Sequence, residues 1–124
     1  MSKKILIVDD DESIRLGFKE ILERAGYKIY LASQAQEACE IIEKQRPDGI
    51  ILDYYLLNDL SGIDICRFVK GKKKFKNIKM MMITGVLSKN QAQKMMHFGF
   101  DKILIKPIES DHLLSEARQL LINE

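Results

Sequence analysis

Apolar and polar positions follow two rhythms along this chain. Ile5–Val8, Ile50–Leu52, Met80–Ile83 and Ile103–Ile105 are short unbroken apolar runs. Runs of this length, rich in β-branched residues, read as strands buried on both faces. Lys28–Ala32, carrying Ile29, Tyr30 and Leu31, reads as a further strand. Between these runs the apolar residues recur at helical spacing. Ile14, Phe18, Ile21, Leu22 and Ala25 form one stripe, with Arg15, Lys19, Glu20, Glu23 and Arg24 on the opposite side. Gly26 follows it, where a helix commonly ends. A second helix has Ala35, Ala38, Cys39 and Ile42 inward, a Ser33–Gln36 capping box at its start and Pro47 after its end. A third, over about residues 63–69, buries some of Ile65, Cys66, Phe68 and Val69. A Ser88–Gln91 capping box opens a fourth, which buries Ala92, Met95, Met96 and Phe98 before Gly99. The last starts near Ser110 and turns Leu113, Leu114, Ala117, Leu120 and Leu121 inward.

The order is strand then helix, repeated five times. That alternation predicts an α/β fold of parallel strands with helices on both faces. In a doubly wound sheet of order 2-1-3-4-5, strands one and three flank the switch point, and ligands bind beyond the carboxyl ends of the strands. Here polar residues gather at those ends. Strand one stops at Asp9 and Asp10, strand three at Asp53, strand four at Thr84 and strand five at Lys106. Three carboxylates in one crevice repel one another unless a cation joins them, and oxygen ligands suit Mg²⁺. Carboxylates, a hydroxyl and a fixed ammonium around one remaining acid are equipment for a phosphoryl group, with Asp53 as the nucleophile.

Composition narrows the class. The chain has 124 residues, 46% apolar and 31% charged, which is one globular domain with a core. A net charge of +2 gives no argument for nucleic acid. No apolar run approaches the roughly 20 residues of a membrane span, and the N-terminus lacks a signal-peptide pattern. Cys39 and Cys66 fit no metal spacing and read as reduced, buried thiols of a cytosolic protein. The lysines at 70, 72, 73, 74, 76 and 79 read as a solvated loop on the far side of the sheet from the acids, with a docking patch for an acidic partner as the alternative. His97 and His112 read as surface residues, Asp59 and Asp64 as loop and helix-start residues. Met80–Met82 reads as core strand, because alternation splits its side chains between two faces. Asp11 and Glu12 serve the start of the first helix.

The acidic pair Asp9–Asp10, the acceptor Asp53, Thr84 and Lys106–Pro107 together resemble the response-regulator receiver domain of two-component signalling, over nearly the whole chain. The resemblance implies a flavodoxin-like, five-stranded parallel sheet with five helices, spanning residues 1–124 as one receiver. It implies that Asp10 and Asp53 bind Mg²⁺ directly, Asp9 largely through water, and the Tyr55 backbone carbonyl completes the set. It further implies that Lys106 pairs with the acceptor, that Thr84 moves to meet the phosphoryl group, and that the Lys106–Pro107 peptide is cis. The donor would be a sensor histidine kinase or a phosphotransfer protein, and the chain would assist its own phosphorylation and dephosphorylation in the cytoplasm. A downstream protein would bind the face of helix four, strand five and helix five, with no nucleic acid and no membrane engaged by this chain. Three positions depart from the pattern. Leu57 stands where the family usually has Pro, Gly62 lies nine rather than eight residues past Asp53, and Ile103 replaces a Tyr or Phe whose ring turns when the Thr moves.

Two other readings compete. An aspartate-nucleophile phosphatase of the haloacid dehalogenase type would carry a second Asp two residues after Asp53, where this chain has Tyr55. A flavin-binding module of the same fold class would need a Gly, Ser or Thr-rich loop after strand one, where Asp9-Asp10-Asp11 would repel phosphate. The signalling module is the reading that uses every strand-end residue.

Overall fold

The computed structural model describes residues 2–53, 62–85 and 88–122. Its five strands are β1 (Lys4–Val8), β2 (Lys28–Ala32), β3 (Gly49–Leu52), β4 (Lys79–Thr84) and β5 (Lys102–Ile105). They form one parallel sheet in the order β2-β1-β3-β4-β5, as the strand–helix alternation predicts. The helices are α1 (Glu12–Arg24), α2 (Ala35–Gln45), α3 (Gly62–Lys70), α4 (Lys89–His97) and α5 (Ser110–Leu120). A short 3₁₀ turn, Lys73–Phe75, was not foreseen; it buries Phe75 beneath an otherwise exposed lysine-rich loop.

Alternation along the strands builds two cores. Leu6, Val8, Ile50, Leu52, Met80 and Met82 face α2, α3 and α4. Ile5, Ile7, Ile51, Met81 and Ile83 face α1 and α5. The three consecutive methionines are therefore divided between the faces, and each is fully buried. At β5 the pattern changes. It is an edge strand, its residues are only half-buried, and Ile105 is 45% exposed.

Helix ends follow local chemistry. Asp11 caps α1, its carboxylate accepting the Ile14 N–H. Gly26 and Gly99 take φ of +98° and +108° just after α1 and α4, a left-handed backbone that costs glycine little. Ser88 and Gln91 form the expected reciprocal box at α4. The Ser33–Gln36 box does not form. Gln34 is the N-cap of α2, and the Glu37 carboxylate reaches back to accept the Ser33 N–H at 2.7 Å. A charged acceptor on the exposed side of the first turn displaces the neutral pair. Two burial expectations also change. Met96 is 48% exposed, because α4 turns mainly Met95 to the core, and Cys39 is half-buried. Among the described residues, no helix is long and apolar enough to cross a membrane.

Candidate functional site

Strand register assembles the site before any side chain is considered. Val8 pairs with Leu52, so the next residues, Asp9 and Asp53, emerge side by side. Thr84 pairs with Ile105, so Lys106 emerges next to the end of β4. The backbone ladder runs one step past the strand ends and fixes these positions. Asp9 N–H donates to the Ala32 carbonyl, Asp53 N–H to the Val8 carbonyl, and Lys106 N–H to the Thr84 carbonyl at 2.7 Å. The Lys106–Pro107 peptide is cis, in agreement with the resemblance.

Carboxylate oxygens of Asp9, Asp10 and Asp53 lie within 4.8 Å of one another. Asp9 and Asp53 are buried and Asp10 is exposed. The Lys106 ammonium bridges the two buried acids, donating to Asp9 Oδ2 at 3.0 Å and to Asp53 Oδ2 at 3.3 Å. Burial penalises this ammonium, but the hydrogen bond and charge of Asp9, joined by Asp53, outweigh the penalty and raise its pKa above the ordinary lysine value. Lys106 is therefore a fixed positive charge at neutral pH. The Thr84 hydroxyl is fully buried, and its Oγ1 has no hydrogen-bond partner among the described residues. Leaving such a group unsatisfied costs about 1–3 kcal/mol, a cost that an acceptor brought to this hydroxyl would relieve.

Asp9 is held at each of its side-chain and carbonyl oxygens. Oδ1 accepts the Asp11 N–H at 3.0 Å, Oδ2 accepts Lys106, and the backbone carbonyl accepts Arg15 Nη1 at 2.6 Å. Arg15 escaped the sequence reading, which placed it on the outward face of α1. Its position one turn after consecutive acids was the available signal. The Tyr55 carbonyl and Leu57 lie outside the described residues, and Gly62 is the first residue of α3. Ile103 is half-buried on β5. It packs against the core shared with α4 and lines a shallow concavity with Ala92, Met96 and Leu104.

The sequence model described as "Response regulator receiver domain" matches residues 5–118. The chain belongs to the response-regulator receiver family. It is 32% identical over 121 residues to the response regulator MprA of Mycobacterium tuberculosis (strain H37Rv), covering 98% of this chain and 51% of that protein. It is likewise 32% identical to the alkaline phosphatase synthesis transcriptional regulatory protein PhoP of Bacillus subtilis (strain 168), covering 98% and 49%. The chain thus spans about half the length of the curated relatives it matches. Among solved structures, the chemotaxis protein CheY4 of Vibrio cholerae superposes with a TM-score of 0.91 at 29% identity, covering 98% of this chain and all of that one. A CheY-like receiver domain protein from Methanospirillum hungatei gives 0.88 at 31%, covering 98% and 94%. The receiver fold and the two-component signalling class stand on these matches, and the phosphatase reading is not favoured by them.

Proposed function

We propose that this receiver accepts one phosphoryl group on Asp53 from a phosphohistidine of a sensor kinase or phosphotransfer protein, in the cytoplasm. The observation that carries the reading is the Lys106 ammonium bridging Asp9 and Asp53 on a sheet edge that also ends in the orphan hydroxyl of Thr84. An Asp53 oxygen attacks phosphorus, the P–N bond breaks, and the imidazole leaves with its bonding electron pair and takes up a proton. The product is an acyl phosphate on Asp53. Lys106 supplies a fixed positive charge for the phosphoryl oxygens, and Thr84 supplies a hydrogen bond from a buried hydroxyl that has no partner among the described residues.

The donor set fits Mg²⁺. Three carboxylates within one ligand sphere are hard oxygen donors of the kind it takes. Asp10 and Asp53 would hold it directly and Asp9 largely through water, with the Tyr55 carbonyl as the remaining protein ligand. When bound, the ion neutralises charge on the transferring phosphoryl group. The whole of residues 1–124 is read as one receiver. Its output reaches a downstream protein through the face of α4, β5 and α5, where Ile103, Met96 and Ile105 lie. It turns over no free substrate, beyond assisting its own phosphorylation and dephosphorylation. The experiment is incubation with acetyl phosphate and Mg²⁺, with intact mass as readout. One phosphoryl group is expected on the native chain and none on Asp53→Asn. Sustained turnover of a small phosphomonoester would instead favour the phosphatase.

A further inference from the structure

The parallel sheet has a second polar end. The acids lie beyond the carboxyl ends of the strands, and lysines lie at the amino ends. Lys4, Lys28, Lys79 and Lys102 each open a strand. The segment from Lys70 to Lys79 adds Lys72, Lys73, Lys74 and Lys76 with no acid among them. All six lysines of that segment are exposed. Five of them, those from Lys72 on, divide into two groups. Lys72 and Lys74 are paired with Glu43 on α2, and Lys72 also lies over the Phe68 ring at 4.5 Å. Lys73, Lys76 and Lys79 make no ion pair among the described residues.

Lys76 and Lys79, together with Lys3, line a concavity that also takes in Asn77, Gln119 and the end of α5 at Leu121 and Ile122. Ile122 is 60% exposed there. Asp48 also lines it, with one carboxylate oxygen already accepting the Lys4 N–H at 2.8 Å. Lysines beside one exposed apolar side chain, Ile122, suit a ligand that carries both negative charge and an apolar group. We infer that this basic end of the sheet is a docking surface for an acidic protein segment in which carboxylates alternate with apolar side chains.

Nucleic acid fits less well. Phe75 is fully buried and Phe68 lies under Lys72, so the patch offers no exposed ring on which a base could stack. The exposed Ile122 side chain matches a Leu or Ile better than a sugar–phosphate backbone. The surface is also electrically separate from the phosphorylation site. Six residues of β4, at about 3.3 Å each, put roughly 15–20 Å between the two ends, about twice the Debye length at physiological salt. Docking here is therefore constitutive: it tethers the receiver to a partner whether or not Asp53 is modified.

The test uses a fluorescein-labelled peptide of alternating Glu and Leu, the ¹⁵N-labelled chain, and matched runs with an oligothymidylate of equal charge. Expected are saturable peptide binding and amide shifts confined to residues 72–79 and 119–122. The affinity should fall with added salt and should not change with beryllofluoride. Lys76→Glu with Lys79→Glu should weaken peptide binding about tenfold or more through like-charge repulsion, while acetyl phosphate uptake and melting stay unchanged. The inference is overturned by peptide shifts elsewhere, or by no saturable binding. Tighter binding of the oligothymidylate at the same residues, or self-association of the chain abolished by the double substitution, would also overturn it.

Discussion

At the scale of single residues, the site depends on groups that hold other groups. The Arg15 guanidinium donates to the backbone carbonyl of Asp9, and that contact ties α1 to the loop presenting the acidic pair. Arg15→Ala should lower stability by about 1.5–3 kcal/mol, the range for a hydrogen bond from a charged group. It should also reduce the rise in melting temperature on adding Mg²⁺, with Arg15→Lys intermediate. Equal Mg²⁺ responses in all three proteins would confine Arg15 to α1. The sequence reading found Asp9, Asp10, Asp53, Thr84 and Lys106, because each ends an apolar run and strand ends are where such sheets gather polar groups. It missed Arg15, because helical periodicity tells which face a residue occupies and not what a long side chain reaches back to touch. Cys66 gives a pH prediction. Burial pushes its thiol up to about 11, and its sulfur donates to the Phe98 carbonyl at 3.0 Å. In the unfolded chain the thiol ionises near the ordinary value of about 8.5. Its contribution to stability is therefore complete below about 8.5 and is lost as pH rises from there to about 11. Chemical denaturation across that window should show a steeper fall for the native chain than for Cys66→Ala. Identical slopes would contradict the burial.

At the scale of elements, the strands were the most legible and the edges of the helices the least. Buried strands announce themselves as unbroken apolar runs, and the Met80–Ile83 run forms the centre of β4. The opening of α2 was misread, because Ser33–Gln36 and Gln34–Glu37 are adjacent frames of one pattern and the sequence does not say which carboxylate or amide wins. Burial of Met96 was over-read for a related reason. α4 is short and rests on one edge of the sheet, so a narrower stripe than the full apolar set is covered. This matters for output. Ile103 sits on β5 beside α4, and as a β-branched side chain it is stiff at χ1 and has no ring to swing. Beryllofluoride, which mimics the phosphoryl group, should shift amides near residues 85–88 and 102–105 through small backbone movements, without a large change of rotamer at the Ile103 methyls. A coupling of about 1–3 kcal/mol is enough to move a pre-existing equilibrium. Shifts confined to the neighbourhood of Asp53 would mean that the α4–β5–α5 face does not carry the signal.

At the scale of the whole molecule, one parallel sheet separates two charged ends. Topology was legible because five strand–helix repeats with short connections leave few arrangements, and register then brings Asp9 beside Asp53. The end-to-end charge separation was only half legible. The lysine run was plain in the sequence, but the pairing of Lys72 and Lys74 with Glu43, which sets them apart from the rest of the run, needed the fold. The acidic end should respond to Mg²⁺, since a cation bound only by the folded chain stabilises it by mass action. Melting temperature should rise with Mg²⁺ and fall back with chelator, and Asp10→Asn should reduce the rise. A melting temperature indifferent to both would remove the metal from the account. The central claim is that Asp53 itself carries the phosphoryl group, and borohydride tests it most directly. Reduction of the chain after acetyl phosphate and Mg²⁺ treatment turns an aspartyl phosphate into homoserine. Peptide mapping should find homoserine at position 53 and nowhere else; homoserine at position 9 or 10, or at no position, would contradict it.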